Sequence, residues 1–104
     1  MAWTFVLLAG LMETTWVTAL RYSQGFTRLV PSVVVVAAMT GSLLLAGQAM
    51  RTIPMGTVYA AWTGIGATGA VTIGIYLFNE PATAQRLACI GLIVAGIAGL
   101  RITA

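Results

Sequence analysis

Apolar residues fill long runs in this chain, and polar residues are largely confined to short joints between them. A helix that crosses a bilayer core of roughly 30 Å needs about 20 apolar residues. Ala2 to Leu20 supplies one such run, interrupted only by Glu13. Val30 to Met50 supplies a second with no charge at all, and Ile53 to Phe78 a third. The fourth is less direct. Leu87 to Leu100 lies between Arg86 and Arg101, and at ~1.5 Å per residue it reaches only about 21 Å, too short to cross alone. The pattern predicts a helix that starts near Pro81, a residue suited to the first helical position. It runs over about 82–103, with Arg86 and Arg101 reaching opposite interfaces. The expected architecture is all-α and integral to the membrane, a single domain over 1–104 with spans at 2–20, 30–50, 53–78 and 82–103.

The joints are short. Arg21 to Leu29 is the longest and is broken by Gly25; Arg51 and Thr52 form the second, with Pro54 opening the next helix; Asn79, Glu80 and Pro81 form the third. They leave no room for a soluble domain or lid. Met1 to Leu20 has no positive leading segment and carries Glu13 inside its apolar stretch, so it reads as a first span and not as a signal peptide. Membrane strands would alternate polar and apolar residues over about ten positions, whereas VPSVVVVAAMTGSLLLAG is apolar on every side. Its β-branched residues favour strands in water. In lipid, each segment must satisfy its own backbone groups, and that requirement overrides the preference.

Composition narrows the function classes. The 104 residues are 60% hydrophobic and 7% charged, against about 25% charged in soluble domains. There is no lysine and no basic run, which excludes an evident nucleic-acid surface. There is no histidine, and the single Cys89 sits in an apolar run as a small packing residue. No metal-ligand cluster, phosphate loop or dinucleotide fingerprint is present, so neither a cofactor nor an enzymatic site is expected.

Four spans place the N-terminus, second joint and C-terminus on one side with Arg51 and Arg101, and the other joints opposite with Arg21, Arg28 and Arg86. Arginines near helix ends favour the cytoplasm, and two against three is almost no bias. Two readings stay open on charge alone: insertion in both orientations with antiparallel pairing, or one orientation set by the extra arginine. One four-helix chain encloses little volume, which favours a dimer. Two inverted copies would supply the inverted repeat on which many alternating-access transporters are built.

Glu13 is the one carboxylate at membrane depth. A charged acid at a helix centre costs on the order of 2.5–3.5 kcal/mol, less when protonated, and intramembrane ionisable residues usually mark a transport or proton pathway. The bland alternative is a glutamate serving as interhelix glue. Gly10 and Trp16 stand three residues either side and share its face; Gly10 leaves space against the carboxylate, and Trp16 brings an aromatic face and an indole donor. Ser42 is near mid-depth in the second span. Tyr59 and Trp62 share a face of the third, too deep in the case of Trp62 for a simple interfacial anchor. An acid with aromatic rings and hydroxyls suits a cation, and a planar guanidinium matches a carboxylate with paired hydrogen bonds. Gly64, Gly66 and Gly69 interrupt the third span as a hinge or as close-packing positions, two readings of equal weight. Gly91, Ala95 and Gly99 form a small-residue stripe in the fourth span, a candidate dimer contact.

GFTRLVPS (25–32), GLMETTW (10–16), YAAWTGIGATGA (59–70) and FNEP (78–81) resemble the small multidrug resistance family across nearly the whole chain. GLIVAGI (91–97), which adds Gly96 to the stripe, resembles that family's dimerisation segment. The WTGIGA segment and the FNEP joint resemble its guanidinium-exporter subtype more than its multidrug subtype. The resemblance implies an antiparallel homodimer in the bacterial inner membrane that exchanges protons for small organic cations. In it, Glu13 of both subunits would bind proton and substrate in competition, supported by Gly10, Trp16, Ser42, Tyr59 and Trp62. Membrane lipid and a second copy are the implied partners. Thr14 and Thr15 depart from the apolar residues expected after the glutamate, and Arg21 stands where lysine is common. The nearest alternative is broad export of quaternary ammonium compounds. More distant ones are a rotary-pump proteolipid, which would need only a two-helix hairpin, and a membrane scaffold, which would not need Glu13 at depth.

Overall fold

The computed structural model describes residues 2–103; Met1 and Ala104, the ends of the expected domain, lie outside the described residues. Four helices follow one another: α1 (Ala2–Tyr22), α2 (Leu29–Ala49), α3 (Met55–Leu77) and α4 (Ala84–Thr103). All four are long and apolar enough to cross a membrane.

The joints explain the differences from the sequence pattern. Helix α1 continues to Tyr22, then turns through Gln24, Gly25 and Phe26, all at positive φ. The turn is held by the Ser23 hydroxyl, which donates to the Leu20 carbonyl at 2.7 Å and accepts from the Phe26 N–H at 3.1 Å. Pro54 precedes the first helical residue of α3 and stands at its N-cap. Helix α4 starts at Ala84, not near Pro81. The Thr83 hydroxyl accepts the Arg86 N–H at 3.2 Å, the bond by which an N-cap threonine satisfies an otherwise orphan donor. Proline lacks a side-chain acceptor, so the cap goes to Thr83, and the third joint is longer than Asn79–Pro81. Glu80 in that joint pairs with Arg86 at 3.2 Å and hangs over Gly74, where an added Cβ would lie 2.6 Å from the carboxyl carbon.

Helix α1 packs against α2 and α3, while the backbone of α4 comes close to that of α3 alone and meets α1 through the Arg101 guanidinium over the Trp3 ring. The buried cluster is built mostly of small residues, Ala9, Ala46, Ala49 and Ala61 with Val6, Val58 and Trp62. Lipid tails are as apolar as leucine, so membrane helices associate through close approach of their backbones and small residues allow it. The result is a slab of 41 × 34 × 17 Å, with large apolar side chains such as Leu29, Leu44 and Leu92 facing outward.

Candidate functional site

Glu13 sits in the middle of α1, half-buried, on the side that meets α3. Gly66 makes this fit possible. A Cβ on Gly66 would lie 2.7 Å from the Glu13 Cγ, so any side chain there would push the glutamate away. Gly10 does not open room for the carboxylate, as its place on the helix face suggested. The space above it is filled by Ile65, whose Cγ2 would lie 2.5 Å from a Cβ at Gly10. Both glycines thus bring α1 and α3 together, and the one that accommodates the acid lies on the opposite helix. Gly69 performs the same service for Thr14, whose hydroxyl oxygen a Cβ at Gly69 would overlap. Gly64 faces the other way, toward Ile93 and Ile97 of α4. Helix α3 runs unbroken through all three glycines.

Ser42 and Trp62 tie the three helices together. The Trp62 indole N–H donates to the Ser42 hydroxyl at 2.7 Å, and that hydroxyl donates to the Ala9 carbonyl at 2.8 Å. Ser42 is fully buried and Trp62 nearly so, and in lipid such groups must find partners within the protein. Their polar atoms are therefore committed to each other. The Tyr59 ring meets that of Trp62 edge-on, centroids 6.0 Å apart, and is itself exposed. Trp16 lies beside Glu13, and its buried indole N–H has no hydrogen-bond partner. Among the described residues the Glu13 carboxylate makes no ion pair, and Trp16 is the polar side chain beside it.

Two clefts lie away from Glu13. One of about 210 Å³ opens between the ends of α1 and α3 beside Arg21, Phe78 and Glu80, where the Arg21 guanidinium lies 4.8 Å from the centre of the Phe78 ring. Another of about 480 Å³ separates α1 from α4 near Trp3 and Arg101. Gly91, Gly96 and Gly99 of α4 have open space where a side chain would stand, and Ala95 is exposed.

Residues 1–93 match the family model described as Small Multidrug Resistance protein. The chain belongs to the small multidrug resistance family. It is 52% identical over 103 residues to a guanidinium exporter of Citrobacter freundii, covering 99% of this chain and 98% of the relative. It is 51% identical over 104 residues to a guanidinium exporter of Salmonella typhimurium, covering 100% of this chain and 99% of the relative. A guanidinium exporter of Yersinia pseudotuberculosis is 48% identical over 102 residues, covering 98% of each. With four spans and this membership, the chain is a multi-pass protein of the bacterial inner membrane. The reach of the Thr14 hydroxyl to α3 and the seat that Gly66 makes for Glu13 are the contacts that sequence reasoning missed. The only signals were a hydroxyl next to the acid in the first span and a glycine in the third.

Proposed function

We propose that this member of the small multidrug resistance family exports guanidinium and small substituted guanidinium cations in exchange for protons, as an antiparallel homodimer. The reading is carried by the Glu13 carboxylate, at membrane depth without an ion-pair partner among the described residues, in a chain half-identical along its length to guanidinium exporters. A planar guanidinium offers paired donors to a carboxylate, and the rings of Trp16, Tyr59 and Trp62 supply faces for the rest of a cation. Gly10 supports the site indirectly, by letting α3 approach.

The exchange follows from competition for the same oxygens. With Glu13 deprotonated, a cation from the cytoplasm binds. The dimer then rocks about α3, whose Gly64, Gly66 and Gly69 are candidate hinge positions, and opens to the other side. There protons displace the cation, and the protonated dimer returns. Each ligand excludes the other, so proton and cation do not cross together in one direction, and exchange is tight as long as the empty dimer does not switch sides. Two inverted copies make the two openings equivalent, and the near-even arginine count on the two sides of the chain is consistent with insertion both ways. Gly91, Ala95, Gly96 and Gly99 are the proposed contact between copies, since none of the described residues fills the space above the three glycines.

Purified protein in vesicles tests this. A pH gradient should drive guanidinium uptake by the wild type, and Glu13→Gln should reduce it to the level of empty vesicles; uptake that survives the substitution would overturn the mechanism. The family's multidrug members motivate a second reading, export of quaternary ammonium compounds. Such cations cannot donate hydrogen bonds, so a tetraalkylammonium run beside guanidinium in the same assay separates the two.

A further inference from the structure

Threonines within helices commonly return their hydroxyl proton to the carbonyl four residues earlier, and this chain is full of them. Thr15 donates to Leu11 at 2.9 Å, Thr18 to Thr14 at 2.8 Å, Thr40 to Val36 at 2.8 Å, and Thr63 to Tyr59 at 2.6 Å. Thr68 and Thr72 do the same at 2.8 Å each. Thr14 differs. Its hydroxyl stands 3.2 Å from the Gly10 carbonyl of its own helix and 3.2 Å from the Gly66 carbonyl of α3. One hydroxyl carries one proton, so Thr14 shares it between two helices. It is buried, and it reaches α3 only because Gly69 lacks a side chain.

We propose that Thr14 is a positioning residue for Glu13, a latch between α1 and α3 that can open without stranding a polar group. The same residue, Gly66, receives Glu13 against its bare α-carbon and Thr14 on its carbonyl. Closing the latch therefore sets how Glu13 sits on α3. Opening it leaves the hydroxyl bonded to Gly10, as in the other threonines. The Gly66 carbonyl keeps the helical bond that α3 gives it. Neither side is left unsatisfied in lipid, where that would be most costly. The remaining barrier to sliding α1 on α3 is then packing plus one weak shared bond. This inference rests on the transport reading for its biological meaning, but the latch itself is read from motion of the helices and not from transport.

The test compares Thr14→Val, which keeps the shape and removes the hydroxyl, with Thr14→Ser, which keeps the hydroxyl. Full-length protein labelled with fluorotryptophan in lipid bicelles reports exchange between its conformers by ¹⁹F NMR, and the same preparations in vesicles give kcat and KM for guanidinium. Thr14→Val should speed conformer exchange about threefold, the factor implied by an average interhelix hydrogen bond in a membrane. Its kcat should follow while KM stays near wild type, and Thr14→Ser should match the wild type in both. Exchange unchanged in Thr14→Val overturns the latch, as does an equal change in both variants, which would mark a packing effect. If Thr14→Val does not assemble, Thr14→Ala takes its place with the same two outcomes. Loss of pH-driven transport sensitivity to Glu13→Gln would sink the transport reading and leave the exchange measurement standing.

Discussion

Helices α3 and α4 are alike in length and greasiness and each carries several glycines, yet those glycines are used differently. Gly64, Gly66 and Gly69 of α3 each have another helix where a side chain would be, from Ile97 to Glu13 to Thr14. Gly91, Gly96 and Gly99 of α4 have open space, and none of the residues of α4 is buried. In water a bare apolar helix would be driven onto the others. In lipid it is not, because exposure to acyl chains costs an apolar helix little. What decides burial here is the fit of backbone to backbone. That fit is complete around α3 and, within one chain, absent along the small-residue stripe of α4.

The comparison breaks most sharply at Glu13. Glu13→Gln should abolish pH-driven guanidinium flux without loosening α1 from α3, because Gly66 admits glutamine as readily as glutamate; circular dichroism and flux on the same vesicles check both halves. In the wild type the apparent KM for guanidinium should rise as the pH on the loading side falls, since a proton then occupies the oxygens that the cation needs. A KM that ignores pH would remove the competition on which the proposed exchange depends.

The glycines come next. Gly66→Leu should overpack the α1–α3 contact and lower stability by about 1–3 kcal/mol, read as an earlier unfolding midpoint in detergent. If the α4 stripe is the contact between copies proposed above, Gly99→Leu should leave that midpoint near wild type and shift the balance toward monomer, read by crosslinking or fluorescence transfer between labelled copies. Equal effects on both readouts would erase the distinction between the two helices.

Ser42→Ala should follow. It strands the Trp62 indole N–H inside the protein, at a cost of about 1–3 kcal/mol. Adding Trp62→Phe should recover part of the loss, since it removes the donor left without a partner. The smallest effect belongs to the third joint. Glu80→Gln breaks an exposed ion pair with Arg86 and should change stability by less than about 1 kcal/mol.

Much of this protein is legible from residue order alone. Runs of about 20 apolar residues have one solution in lipid, so the existence of four helices follows from backbone hydrogen bonding. The prominence of Glu13 follows from the cost of placing an acid at that depth. Helix ends are less legible: the start of α4 depends on which side chain caps it, and Thr83 does so two residues after Pro81. Partnerships across helices are not legible at all. Spacing along α1 put Gly10 and Trp16 on the face of Glu13, but spacing carries no register between chains of residues far apart in sequence. Only the tertiary packing sets Gly66 against Glu13, brings Ile65 over Gly10, joins Trp62 to Ala9 through Ser42, and divides the proton of Thr14 between two carbonyls. The physical reason is that composition chooses the solvent and the solvent chooses helices, while the relative height and rotation of those helices are decided by where small residues let their backbones meet.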